Sequence, residues 1–254
     1  MVEFQLPSEL AEMARRFERE GGVPVPPRLA STVVLLREPS EVYLIRRVAT
    51  MAFAASMYAF PGGGVDPRDA TVQPGWAGPA PAEWAARLQL DESVARSVVC
   101  AAVREVFEES GVLLAGADAD TVVGDVSGPD WERARQALIA RELGFAEFLE
   151  RNGLVLRSDL LVPWSRWITP EFEPRRFDTY FFLALLPEGQ VTRDVGGEAD
   201  DHVWCPPGEA ADGRYTMLPP TRYTLLELAE AGGIDGALAA APARNPADAI
   251  RPVA

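Results

Sequence analysis

The apolar positions of this chain follow two periods, one near 3.6 residues and one near 2, and their order predicts a mixed α+β fold. Ser8 opens a helical pattern that runs to Arg19, with Leu10, Met13 and Phe17 on one stripe, and Gly21-Gly22 stops it. Pro24, Pro26 and Pro27 then make an extended entry to the main fold. Residues 31–36 and 41–47 read as two strands about a turn at 37–40. An Ala/Met-rich connection over 51–59 leads to the turn Pro61-Gly62-Gly63.

Residues 66–90 read as a loop with a short helical piece near 82–88, and a long helix follows over 92–110. Asp91 is its candidate N-cap, and Gly111 is placed as the residue after the C-cap. Val112-Leu113-Leu114 resumes a strand-like run. Residues 130–151 are helical in pattern, with Trp131, Ala134, Leu138 and Ile139 and then Phe145, Phe148 and Leu149; a lid, a dimer contact and plain packing all fit. Residues 176–186 are apolar almost throughout, the mark of a central strand. A further strand is expected over 201–205. Pro220 opens a helix through 231 on Tyr223, Leu226, Leu228 and Ala229. The Ala/Pro-rich stretch after 240 is expected to be poorly ordered. The expected organisation is a helical extension over 1–27, one domain over 28–232 with insertions near 66–90 and 115–160, and a tail over 233–254. Its strands form a mixed sheet between helical layers, an α/β/α sandwich.

The long helix carries the chemistry. At about 100° per residue, Glu105, Glu108 and Glu109 share roughly a third of its circumference. Ala101 and Ala102 lie on the same side, while Val99, Val103, Val106 and Phe107 face a core. Like charges at this spacing cost a few tenths of a kcal/mol per pair, and only Arg104 is a nearby cation. Mg²⁺ or Mn²⁺ would remove that cost, because hard cations take oxygen ligands. An acidic helix stripe by itself is more often a solvated face.

Composition narrows the alternatives. The net charge of −14 argues against nucleic acid as a partner and requires local cations for any anionic substrate. All 24 strong bases are Arg, so a Schiff-base lysine and the phosphate-loop Gly-Lys motif are excluded. A single histidine, His202, excludes multi-His zinc sites, and no Gly-x-Ser-x-Gly elbow accompanies it; it reads as non-catalytic. Cys100 and Cys205 make no motif and suit a reducing cytoplasm. The first residues lack a signal-peptide pattern, and no apolar run is long enough for a membrane.

The segment Arg104-Glu105-Val106-Phe107-Glu108-Glu109-Ser110-Gly111-Val112, together with Phe60-Pro61-Gly62-Gly63-Gly64-Val65-Asp66, resembles the signature of the Nudix hydrolases. That signature runs Gly, five residues, Glu, seven residues, Arg-Glu, an aliphatic residue, any residue, Glu-Glu, any residue, Gly and an aliphatic residue. The second half is complete here. The two halves stand further apart than in the signature. Counted back from Arg104, the first-half acid falls at Arg96; Asp66 and Glu92 are the candidate replacements. The long insertion looks like the branch that includes coenzyme A diphosphatases. So do Val33–Leu36, Tyr43–Arg47, Trp167–Pro170 and Arg176–Phe182.

The resemblance implies metal-dependent hydrolysis of a nucleoside diphosphate derivative, coenzyme A or acyl-coenzyme A being favoured. ADP-ribose, dinucleotides, nucleotide sugars or a non-catalytic nucleotide-sensing role are the alternatives. It implies that Glu105, Glu108, Glu109 and the Gly63 carbonyl hold Mg²⁺ or Mn²⁺, with Arg104 either orienting the carboxylates or making a simple helix ion pair. Gly62 and Gly63 would let turn and helix approach closely. Glu198, before Trp204, is the candidate general base or a plain loop carboxylate. Arg46, Arg47, Arg175 and Arg176 are candidate phosphate ligands, Arg46 and Arg176 foremost. Trp164, Trp167 and Phe177 either stack a base or belong to the core. The expected partner is this small molecule, with neither nucleic acid nor membrane, and a homodimer is an open possibility.

Overall fold

A computed structural model of the chain describes residues 4–5, 8–49, 54–71, 74–193 and 199–253. Along the chain, β1 (Phe4–Gln5) and α1 (Ser8–Arg19) precede β2 (Arg28–Arg37) and β3 (Glu41–Arg47). Short strands β4 (Tyr58–Ala59) and β5 (Gly62–Gly64) lead through α2 (Pro67–Thr71), β6 (Trp76–Ala77) and α3 (Pro81–Leu88) to the long α4 (Glu92–Ser110). Then come β7 (Ala115–Gly116), α5 (Pro129–Ile139), α6 (Phe145–Arg151), β8 (Val155–Arg157), β9 (Val162–Ile168), β10 (Phe177–Leu185) and β11 (Ala199–Cys205). The chain ends with α7 (Pro207–Ala210), α8 (Pro219–Glu230), α9 (Ile234–Ala240), β12 (Ala249–Ile250) and β13 (Pro252–Val253).

The main sheet is mixed, in the order β11-β3-β2-β10-β9-β12, with β4 on β3 and β5 on β2. β2 and β10 run parallel from Arg28↔Phe177 to Leu36↔Leu185, as the apolar run over 176–186 predicts for a central strand. Alternation along these strands feeds two cores. Val33, Leu35, Tyr43, Ile45, Tyr180 and Phe182 point to α3 and α4, where Trp84, Val99, Val103 and Phe107 are fully buried. Val34, Leu36, Val42, Leu44, Phe181 and Leu183 point the other way, to Leu225 and Leu228 of α8 and to Ile234 and Ala237 of α9. The result is the expected α/β/α layering.

α4 follows its sequence signals closely. Asp91 stands at the N-cap with extended backbone, although its side chain makes no capping bond. Gly111, at φ 73°, ends the helix and donates its N–H to the Phe107 carbonyl at 3.0 Å. The two inserted segments meet each other: β6 from the first pairs with β8 from the second, and β8 with β7.

Three expectations are corrected. The chain after 240 is ordered: Ala241 is buried, and β12 adds a parallel strand to β9 through Ala249↔Arg166 and Ile250↔Trp167. In α1, Met13 is 48% exposed and the buried residues are Ala11 and Ala14. In α8, Leu226 is exposed while Thr221 and Thr224 turn inward. Among the described residues no helix is long and apolar enough to cross a membrane.

Candidate active site

The glycine turn and α4 are brought into contact by β2. β5 pairs with β2 through Thr32↔Gly62, Ser31↔Gly63 and Ala30↔Gly64. Ser31 Oγ donates to the Val98 carbonyl at 2.6 Å, which fastens the same strand to α4. A Cβ at Gly62 would lie 2.5 Å from the Ser31 carbonyl oxygen, and one at Gly63 would lie 2.6 Å from both carboxylate oxygens of Glu105. Only glycine permits this approach. The Gly62 N–H donates to Glu109 Oε2 at 2.6 Å, so turn and helix are joined by a charge-assisted bond.

Arg104 is the hub. Its buried guanidinium donates to Asp69 Oδ1 through Nε at 3.1 Å and to Asp69 Oδ2 through Nη2 at 3.0 Å. Nη2 also reaches the Gly64 carbonyl at 2.9 Å. Nη1 donates to Glu105 at 2.7 Å and to Glu108 at 3.3 Å. Burial works against its charge, yet Glu105 and Asp69 hold its pKa well above the ordinary value. Burial pushes the Glu105 carboxyl up, to about 7, against the opposing pull of Arg104 and with help from Glu108.

Asp69 is the residue that the sequence reading missed. It is 4% exposed and lies in α2, five residues intervening after Gly63. Counted forward from the glycine, it occupies the first-half acid position. Counted back across the insertion, the spacing falls on Arg96. Asp66 does not substitute for it: it accepts from Arg68, whose side chain, despite the burial, holds the Asp66 pKa near 2. Glu92 is exposed at the start of α4.

The carboxylates stand in a cleft of about 1050 Å³. One wall is apolar, from Trp167, Phe177, Phe181, Leu218 and Pro219; another carries Leu138, Ile139, Arg68 and Arg141. Of the expected site residues, Arg104, Glu105, Glu108, Glu109, Gly62 and Gly63 all line it. Arg46 and Arg176 do not. Arg46 points to the opposite sheet face, where Nε donates to Asp200 at 2.7 Å. Arg176 is buried and donates to the Thr169 and Val25 carbonyls at 3.1 and 2.8 Å, a strap on the N-terminal segment. Arg47, next to Arg46 and so on the other face, lines the cleft, and its buried Nε has no hydrogen-bond partner among the described residues. Trp164 is core: Nε1 donates to Glu227 at 3.0 Å and the Arg244 guanidinium covers the ring at 3.8 Å. Glu198 lies outside the described residues.

A sequence profile described as the NUDT19 Nudix domain matches residues 77–227, well over half the chain. The chain belongs to the Nudix hydrolase family. It is 31% identical over 190 residues to a Gallus gallus protein named acyl-coenzyme A diphosphatase NUDT19, covering 66% of this chain and 47% of that protein. It is 29% identical over 205 residues to a Caenorhabditis elegans protein named as a nudix hydrolase, covering 79% and 60%. The chain therefore spans roughly half the length of these relatives. A crystal structure of a NUDIX hydrolase from Alicyclobacillus acidocaldarius matches with TM-score 0.68 and 27% identity, over 85% of this chain and 96% of that one. In this Nudix family member the profile match begins after Asp69, so the pairing of Asp69 with Arg104 stands on geometry.

Nudix hydrolases generally use divalent metals. The donor set here suits such an ion. Three carboxylates of α4 line one cleft, and the raised Glu105 pKa marks buried negative charge that lacks full compensation. Among the described residues no three carboxylates converge on a single point. Glu105 and Glu108 lean on Arg104 instead.

Proposed function

We propose that this Nudix hydrolase is a divalent-metal-dependent diphosphatase that cleaves the diphosphate linkage of coenzyme A or an acyl-coenzyme A. One observation carries this reading: Glu105, Glu108 and Glu109 line a cleft that is also lined by Trp167, Phe177, Phe181 and Leu218. A diphosphate needs the first and a long, partly apolar appendage suits the second. The relatives named acyl-coenzyme A diphosphatases support the same choice.

Glu105, Glu108, Glu109 and the Gly63 carbonyl would hold Mg²⁺ or Mn²⁺, which when bound neutralises charge developing on the diphosphate oxygens and activates water. The residues do the rest. Arg104 fixes Glu105 and Glu108 from the protein side and ties them to Asp69 and Gly64. Glu109 keeps the glycine turn against the helix. Arg47 offers its guanidinium to a phosphate oxygen from the sheet. Glu198 remains the candidate to accept the proton of the attacking water. The intact Asp69–Arg104 pair weighs against a non-catalytic sensing role, because the first-half acid is present.

The test is mass spectrometry of products from a mixed panel of coenzyme A, acyl-coenzyme A, ADP-ribose, dinucleotides and nucleotide sugars, with and without Mg²⁺ or Mn²⁺. Metal-dependent formation of a phosphopantetheine fragment and an adenosine bisphosphate is expected. Turnover confined to another member of the panel would reassign the substrate, and no turnover of any diphosphate would sink the enzyme reading.

A further inference from the structure

The last turn of α4 carries Glu108 and Glu109 at the end where the helix dipole is already negative, and α4 has no basic residue of its own in that turn. Besides Arg104, one turn back on α4 and paired with Glu108, donors to this turn come from elsewhere in the chain. Arg135 of α5, 1% exposed, donates through Nη1 to the backbone carbonyl of Glu108 at 2.6 Å. Its other two nitrogens fork onto Glu132 at 3.0 and 2.6 Å, which fixes the plane of the guanidinium. Arg193 adds its backbone N–H to the Ser110 carbonyl at 3.0 Å. Beyond Arg135, the end of α5 turns to the cleft, where Leu138, Ile139 and the following Arg141 form part of the wall. One inserted helix thus touches both the backbone of a carboxylate-bearing residue and the space that a ligand would fill.

We propose that Arg135 is a positioning residue: it sets the last turn of α4, and through it the Glu108 and Glu109 carboxylates, and links that turn to the cleft wall built by α5. The proposal rests on the metal-site reading above. A charged donor on a helix carbonyl is a strong hydrogen bond, and here it acts on Glu108, whose side chain lines the cleft where the metal reading puts the cation. Residues that orient metal ligands in this way typically change metal affinity about 10–100-fold when removed.

The test follows Mn²⁺ binding by the loss of the free-ion paramagnetic resonance signal, and amide hydrogen exchange in a peptide spanning 105–112. Arg135→Met is expected to weaken Mn²⁺ binding about tenfold or more, and to speed exchange in that peptide while β2 and β10 stay protected. Arg135→Lys, which keeps the charge and one donor, is expected to fall between. Phe145→Leu, a core change in α6 outside the cleft, serves as the control of similar stability loss and should leave both readouts near wild type. Mn²⁺ affinity in Arg135→Met equal to wild type or to the control would overturn the proposal. If Arg135→Met does not fold, Arg135→Lys carries the same test. If wild type itself binds no Mn²⁺, the metal reading fails on its own, and unchanged exchange over 105–112 in the variants would then overturn the bracing role.

Discussion

Arg104 and Asp69 are 35 residues apart and form a two-point ion pair, 3.0 and 3.1 Å, with both partners almost wholly removed from solvent. Breaking a buried pair from one side leaves the other charge stranded, at a cost of about 3–5 kcal/mol. Asp69→Ala should therefore lower the melting temperature markedly. It should also release Arg104 onto Glu105 and Glu108, so kcat should fall further than the stability loss alone explains. Asp69→Glu should retain part of both. Wild-type turnover in a folded Asp69→Ala protein would show that the pair is not part of the site.

Glu109→Gln separates charge from architecture. The amide oxygen can still accept from the Gly62 N–H, so the turn should keep its contact with α4. What is lost is a full negative charge facing the cleft. Outer partners of metal ligands are worth about 10–100-fold, so loss of a ligand should cost at least about 100-fold in kcat/KM. Thermal denaturation should change little. Unchanged turnover would mean that the metal lies elsewhere.

Much of this site was legible in the sequence, and the misses have physical causes. α4 was legible because its apolar face, Val99, Val103, Val106 and Phe107, repeats at helical spacing and Gly111 ends the helix. Asp69 was obscured because an insertion between α2 and α4 breaks the backward spacing but leaves the forward spacing from Gly63 intact. Arg46 was preferred over Arg47 because a strand alone does not reveal which face meets α4; the packing of β3 against α4 decides it. The chain after 240 looked unstructured because its apolar content is mostly alanine. Ala241 nevertheless is buried in the same core as Leu225, Leu228 and Ile250.

The Glu105 carboxyl predicts a pH dependence. Its folded pKa, about 7, lies above its ordinary value of 4.5. The folded protein then holds more protons than the unfolded chain between those two values, so stability falls as pH rises through that window and levels off above 7. A divalent cation competes with the same proton. Its affinity should climb from pH 5.5 to about 7, and binding below 7 should release close to one proton. Calorimetric titration of Mn²⁺ in two buffers of different ionisation enthalpy measures that release directly. An affinity flat across this range, with no proton released, would contradict the assignment of Glu105 to the metal.

The neighbours Arg46 and Arg47 give the sharpest comparison, since they differ by one residue and by sheet face. Arg46 is paired with Asp200 in solvent, 40% and 43% exposed, and such pairs contribute about 0–1 kcal/mol. Arg47 lines the cleft, and its Nε has no partner among the described residues. A hydrogen bond from it to a phosphate oxygen would contribute about 1.5–3 kcal/mol. Arg47→Ala should thus raise KM for the diphosphate substrate about 10–100-fold, with fold stability near wild type. Arg46→Ala should shift KM by less than about twofold, because its surface pair contributes so little. Steady-state kinetics on both variants with one substrate batch decides it. Equal effects, or the larger effect at Arg46, would place the phosphate on the other side of the sheet and remove Arg47 from the site.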